Sequence, residues 1–281
     1  MSGMGPVKIE IVTQPYLVKK AADDDREYDI FHPSAWGGCL RKVAYQYYNE
    51  QESFVIKRSS NLDLRFERIY DNGHSVHARW QKYLDCSNVL RGAWKCTNPK
   101  CGAIYGDTDR IGIFNPLRTV PDWACSNCGN NKELRYEEPR VKSDQIYNFD
   151  GHCDAIVDLS GTPFARHNNQ DIIVVDFKSI KDEYFSEIAE SKAKHEHVVQ
   201  VNIYMWILEL HAGVVLYENK NTQAVKEVFI PRDEQLIEKV KEQAIWMQNV
   251  LKKGKLPNRP DGTSPSRIPC RFCEFIQYCW R

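Results

Sequence analysis

Asp176 and Lys178 close the run Ile-Ile-Val-Val-Asp-Phe-Lys, where a two-residue period puts their side chains on one face of a strand and Phe177 on the other. An acid and a base beside a buried apolar run are costly unless something needs them. Asp154 adjoins a second apolar run, Ala-Ile-Val, and two carboxylates on neighbouring strands can hold a hard divalent cation through oxygen. The acid-x-Lys spacing alone says little, since Glu190 and Lys192 fit it in a polar helical stretch. Context separates the two cases. Farther along, Gln200 and Tyr204 stack at i,i+4 on a helix, with polar tips that could reach phosphate. Upstream, Gly73-x-x-x-His77 places an imidazole on another helix, the glycine admitting a second backbone close by. Taken singly, a helical His or Tyr reads as packing. Their order along the chain sets the group apart.

The ten cysteines form a second set of candidates. Cys96, Cys101, Cys125 and Cys128 make two short knuckles separated by a 23-residue loop, each ending Cys-Gly so that the backbone can turn tightly and aim amides at sulfur. Four thiolates in two pairs describe a tetrahedral, structural zinc ribbon with no open position for water. Cys270, Cys273 and Cys279 supply only three ligands, and the fourth must come from Cys39, Cys86 or Cys153. Cys39, at the start of an N-terminal helix, would clip both chain ends together. Such a site accepts zinc or an iron-sulfur cluster. Cys86 and Cys153 have no partner at metal spacing and read as small buried hydrophobes.

The elements that must position these residues follow an α/β pattern. The chain has 281 residues, 42% hydrophobic, with 38 basic and 38 acidic side chains. That size supports a core without disulfides, and the balance argues against a generally basic nucleic-acid coat protein. No apolar run approaches the ~20 residues of a membrane-spanning helix, and the N-terminus lacks the apolar centre of a secretory signal. A cytoplasmic protein with no membrane association is expected, where thiols serve metals better than disulfides. Residues 1–30 read as mixed, Asp23 to Asp25 as a solvated turn. Periodicity predicts helices over 34–48 and 61–84, the ribbon over 92–132, and strands over 141–149, 151–158 and 171–178 with a hairpin signal at Gly161-Thr-Pro. Helices over 183–194 and 196–211, strands over 213–218 and 225–230, and a helix over 233–253 complete a mixed central sheet flanked by helices. Residues 252–281 carry seven basic side chains (Lys252, Lys253, Lys255, Arg259, Arg267, Arg271, Arg281) against Asp261 and Glu274, a local excess of five. Such a patch suits phosphate, and Phe272, Phe275, Tyr278 and Trp280 interleaved with it could stack on bases or pack around the cysteines.

In this order the residues resemble the RecB-like branch of the PD-(D/E)XK nuclease superfamily, and especially its iron-sulfur members such as the CRISPR-associated Cas-four type exonucleases. Gly73-x-x-x-His77 is similar to the first motif, Gly151-x-x-Asp154 to the second, Asp176-Phe-Lys178 to the third and Gln200-x-x-x-Tyr204 to the fourth. The resemblance implies a restriction-endonuclease-like core, plus the small zinc-ribbon insertion and a C-terminal iron-sulfur clip. It divides the chain into an N-terminal helical part (1–91), the ribbon (92–132), the nuclease core (133–253) and a cysteine-cluster segment (254–281). It also implies that His77, Asp154, Asp176 and the Phe177 carbonyl hold Mg2+ or Mn2+, that Lys178 positions water and stabilises charge, and that Gln200 and Tyr204 orient the strand. Cys39, Cys270, Cys273 and Cys279 would hold a [4Fe-4S] cluster, Zn2+ being the alternative at the same site. His152 faces the metal side but reads as a structural histidine. The implied activity is a metal-dependent DNA exonuclease acting on single strands or free ends in recombination, repair, CRISPR adaptation or phage DNA metabolism, with a helicase, recombination or integrase partner. The competing expectation is a non-catalytic DNA-binding or scaffold subunit of a helicase-nuclease or integration complex.

Overall fold

The structure, a computed structural model, describes residues 9–22, 27, 29–50, 64–106, 125–129, 134–165, 171–188, 192–267 and 269–280. Helices α1 (Ile9–Ala22), α2 (Pro33–Trp36), α3 (Leu40–Glu50) and α4 (Arg65–Cys86) come first. Short strands follow: β1 (Leu90–Arg91), β2 (Ala93–Lys95), β3 (Ile104–Tyr105), β4 (Arg135–Glu137), β5 (Arg140–Lys142), β6 (Asp150–His152) and β7 (Ala155–Asp158). Then come β8 (Ile172–Ile180), α5 (Asp182–Glu187), α6 (His195–Ile207), β9 (Ala212–Asn219), β10 (Val225–Pro231), α7 (Glu234–Lys252), a 3-10 turn (Cys270–Phe272) and α8 (Ile276–Cys279).

The central sheet runs β1-β7-β8-β9-β10, with β8 and β9 parallel and the other neighbours antiparallel. The mixed sheet expected from the sequence is therefore present. Alternation along β8 divides its side chains between two layers. Ile173, Val175 and Phe177 pack with α4 and with Trp94 and Tyr136 of the cysteine-bearing region. Val174 packs on the other side with Val201, Tyr204 and Met205 of α6. A third cluster joins α2, α3 and α7 over the outer face of α6 through Trp36, Ala44, Ile203 and Met247. Among the described residues no helix is long and apolar enough to cross a membrane.

Several element boundaries differ from the expectation, each for a local reason. The helix over 34–48 is broken at Gly37 and Gly38, because α2 crosses the start of α6 so closely that a Cβ on Gly37 would stand 2.5 Å from the Glu196 Cα. Gly37→Ala is expected to destabilise the fold by about 1–3 kcal/mol, the usual cost of overpacking against backbone, read as a lower urea midpoint with an unchanged slope. The strand over 141–149 ends at Lys142. Asp144 turns the chain by accepting from the amides of Tyr147 and Asn148, Asn148 lies in the left-handed region, and Phe149 rejoins as an isolated bridge to Phe31. Residues 1–30 contain α1, whose helical signal is interrupted by Pro15. The helix over 196–211 stops at Ile207, with Glu209 left-handed. Asp23 to Asp25, the start of the 61–84 helix, residues 107–124 and 130–132 of the ribbon, Glu190 and Arg281 lie outside the described residues.

Candidate active site

Register brings the two acids together. Ala155 pairs with Val175 across the antiparallel β7–β8 ladder, so Asp154, one step beyond the end of β7, faces Asp176. Asp176 is fully buried, and the Lys178 ammonium donates to its Oδ1 at 2.9 Å and stands 2.8 Å from its Oδ2. Both oxygens of a carboxylate cut off from water are thus tied to one ammonium. Asp154 Oδ2 accepts from the Phe177 amide at 2.7 Å. The N–H and C=O of one strand residue point to the same side, so the Phe177 carbonyl faces the Asp154 edge as well. From α4, His77 Nδ1 comes to 3.5 Å from Asp154 Oδ1, its ring set against Phe177. Strand, turn and helix thus converge on one spot.

Two further residues belong to this spot and were not found in the sequence. Glu138, just past β4, lies with Oε1 4.0 Å from His77 Nδ1, and the donor atoms of His77, Glu138 and Asp154 all fall within 4.8 Å of one another. Gln81 donates from one amide nitrogen to Glu138 Oε1 at 3.1 Å and to the Asp154 carbonyl at 2.9 Å. Gln81 stands four residues after His77, the spacing that puts two side chains on one helical face, and that was its available signal. Glu138 had none, because a three-residue strand is too short to show a period.

The electrostatics follow from crowding acids at a buried edge. Burial, and then the Asp176 charge, push the Asp154 carboxyl up. Burial alone would lower Lys178, but the Asp176 and Asp154 charges outweigh it and hold the ammonium protonated. Burial opposes charge on His77 too, yet Glu138 and Asp154 leave its imidazole above the ordinary value. Glu138 is pushed up by burial and pulled further down by His77 and Gln81, ending below the usual carboxylate range.

Gln200 and Tyr204 are turned inward. Gln200 donates to the Tyr204 hydroxyl at 2.8 Å, and that hydroxyl donates to the His152 carbonyl at 2.9 Å. Burial raises the Tyr204 phenol well above its ordinary value, so it stays a donor. His152 has an exposed side chain and, with Tyr204, Arg140 and His32, lines a cavity of about 500 Å3. Gly73 meets no close neighbour among the described residues: none of them lies within 4 Å of the Cβ position there. That expectation is corrected, and the close approach occurs at Gly37 instead.

The ribbon cysteines are preorganised for one ion. Cys96 and Cys128 sulfurs are 3.8 Å apart, and Cys101 and Cys125 sulfurs 3.7 Å, close to the edge of about 3.8 Å that a tetrahedron with metal–sulfur bonds of about 2.3 Å requires. The Asn98 amide reaches Cys96 at 3.4 Å, the Asn127 side chain reaches Cys101 at 3.2 Å, and the Tyr105 hydroxyl bonds Cys125 at 3.0 Å. That hydroxyl is the main reason the Cys125 thiol is lowered to about 6, which favours thiolate. Gly102 and Gly129, after each knuckle, adopt the left-handed conformation the turn requires.

Cys39, Cys270, Cys273 and Cys279 are all half-buried free thiols. Cys39 is close enough for its charge to raise Cys273 after burial has done so. Tyr45 of α3 stacks on Phe275 at 5.3 Å, Lys42 pairs with Glu274 at 3.5 Å, and Arg259 donates to the Cys279 carbonyl with its guanidinium over Trp280. Among the described residues no three of these sulfurs reach the 4.8 Å mutual spacing that the ribbon set attains. Cys153 is fully buried and its thiol is pushed far up by burial, while Cys86 is half-buried against the core.

A model of the PD-(D/E)XK nuclease superfamily matches residues 40–280. The chain is 26% identical over 181 residues to the CRISPR-associated exonuclease Cas4 of Saccharolobus solfataricus, covering 63% of this chain and 71% of that one. Among solved structures it is similar to SSO0001, with TM-score 0.45, 16% identity and coverage of 98% and 96% of the two chains. An alkaline exonuclease, LHK-Exo, from Laribacter hongkongensis gives TM-score 0.34 and 15% identity over 42% of this chain, which spans 57% of that protein.

Proposed function

This chain belongs to the PD-(D/E)XK nuclease superfamily, and from that premise we propose that it is a metal-dependent DNA exonuclease that hydrolyses phosphodiester bonds in single strands or at free ends. The observation that carries this reading is the meeting of Asp154, a fully buried Asp176 and Lys178 where β7 begins. The oxygen-rich donor set fits a hard divalent cation such as Mg2+ or Mn2+. Asp154, Asp176, the Phe177 carbonyl and His77 would hold it. Bound there, such a cation would neutralise charge on the attacked phosphate and acidify a water near neutral pH.

The chain's own groups do the rest. Lys178 keeps its proton, anchored by Asp176, and donates to a phosphate oxygen while fixing the water's position. Gln200 and Tyr204 act from behind: by holding the His152 carbonyl they set the turn from β6 into β7 and so aim Asp154. Exposed Lys252, Lys253 and Lys255 offer charge to a phosphate backbone, and the largely exposed Phe272, with the Arg271 guanidinium over its ring, offers a surface on which a base could stack. Phe275 is committed to packing. The division into a helical part (1–91), ribbon (92–132), nuclease core (133–253) and cysteine segment (254–281) remains part of this proposal. So do zinc at Cys96, Cys101, Cys125 and Cys128, a [4Fe-4S] cluster at Cys39, Cys270, Cys273 and Cys279, and a helicase, recombination or integrase partner.

Purified protein with Mn2+ or Mg2+ should degrade end-labelled linear DNA, leave circular single strands largely intact, and stop when EDTA is added. Undiminished cutting in EDTA, or no cutting of any DNA with either metal, would overturn the proposal; rapid cutting of circles would make the enzyme an endonuclease.

A further inference from the structure

We infer that Glu138 is an additional cation ligand of this site, delivered there by the cysteine ribbon. The inference rests on the metal-dependent reading above and extends its ligand set to a fourth side chain. Glu138 is held from two directions. On one side it follows β4 directly, and β4 pairs with β2, which ends one residue before Cys96. Tyr136 in the middle of β4 is buried, sets its ring 5.3 Å from Trp94 and bonds the Arg91 carbonyl. On the other side, Pro139 accepts from the Cys153 amide at 3.0 Å, so the Glu138–Pro139 step lies alongside Cys153 and Asp154. Gln81 then ties the Glu138 carboxylate and the Asp154 backbone to one amide nitrogen.

Charge points to a cation at this spot. Three carboxylates, Asp154, Asp176 and Glu138, converge against one ammonium and one imidazole. Asp176 is fully buried and holds the Lys178 ammonium with both of its oxygens, so that positive charge is already engaged. A purely structural Glu138, serving only to orient His77, would leave the remaining excess of negative charge unexplained. A hard divalent ion seated among His77, Glu138 and Asp154 answers it, since each offers a donor atom within 4.8 Å of the others.

The test is Mn2+ binding by the full-length, DNA-free protein, followed by electron paramagnetic resonance; Mn2+ is chosen because soft thiolate sites do not favour it. Glu138→Gln, which keeps the shape and removes the charge, should weaken Mn2+ by about 10-fold or more with an unchanged melting temperature. Glu138→Asp should fall between the two, and serves if the Gln variant folds poorly. Cys125→Ser, with the ribbon ion lost, should weaken Mn2+ in the same direction. Wild-type affinity in Glu138→Gln overturns the ligand role, and wild-type affinity in ion-free Cys125→Ser overturns delivery by the ribbon. If the unaltered protein binds no Mn2+, or Asp176→Asn binds it equally well, the underlying metal-dependent reading fails instead.

Discussion

Asp176→Asn is expected to lower DNA hydrolysis by about 10³-fold or more, the scale on which removal of a preorganised charge in a dry site acts, while the protein stays folded. The argument turns on what the carboxylate does in place. It is fully buried, shares the Lys178 ammonium between its two oxygens, and stands opposite Asp154. Removing one partner of a buried pair ordinarily costs about 3–5 kcal/mol because the other charge is left stranded. Here a second effect opposes it. Asp154 also supports the Lys178 charge, and Asp176 is the neighbour that repels Asp154. Asn therefore relieves a repulsion at the same step that it weakens an ion pair, and the melting temperature should move little. Rates on end-labelled DNA with Mn2+, measured beside thermal melts, separate the two quantities. A variant within about 10-fold of the unaltered rate would remove Asp176 from the chemistry, since even one lost hydrogen-bond donor at such a site costs about 10²-fold.

Cys39→Ser should abolish the broad visible absorbance expected of protein purified without air, and lower its stability by about 3–5 kcal/mol, a melting shift of roughly 10 °C for a chain of this size. Cys39 precedes α3, whereas Cys270, Cys273 and Cys279 stand at the far end of the chain. A bond across that interval removes much of the unfolded chain's freedom, because closure entropy grows with loop length. The tail has further attachments: Arg41 donates to the Pro257 carbonyl at 2.5 Å, and the Tyr48 hydroxyl to the carbonyls of Leu251 at 3.1 Å and Lys255 at 2.9 Å. Loosening after Cys39→Ser should therefore begin beyond Lys255 and be visible as new proteolytic cuts there. Cys86→Ser is the control that leaves colour and cuts unchanged. A colourless unaltered protein carrying zinc at both cysteine sets would refute the cluster.

Much of the site was legible because its signals are short-range. The period of β8 alone puts Asp176 beside Lys178, and the strand is long enough, nine residues, for that period to be unambiguous. The ribbon was legible because ligand spacing is written into consecutive residues. Glu138 was not, since its nearness to His77 and Asp154 depends on how a short strand emerges from the ribbon, a property of packing between segments. Gly73 misled for a related reason: glycine reports that a close approach is permitted, not that one occurs. Gln200 and Tyr204 were read as reaching outward, but a helix packed against the sheet turns that face toward the His152 carbonyl.

The shared packing of Trp94 in the ribbon, and of Tyr136 on the strand paired with it, with Val157, Ile173, Val175 and Phe177 bears on how freely the ribbon can be exchanged. By sequence it is an inserted module, and modules are ordinarily grafted or removed at little cost to their host. By contact it forms the roof over one side of the strand that carries the acids. Excising it would strip that side to water and take the approach to Glu138 with it. If the two proposed metal sites hold, two grades of chemistry are thereby bound to one fate: the shape of a site proposed for a hard ion would depend on one proposed for a soft-ligand metal.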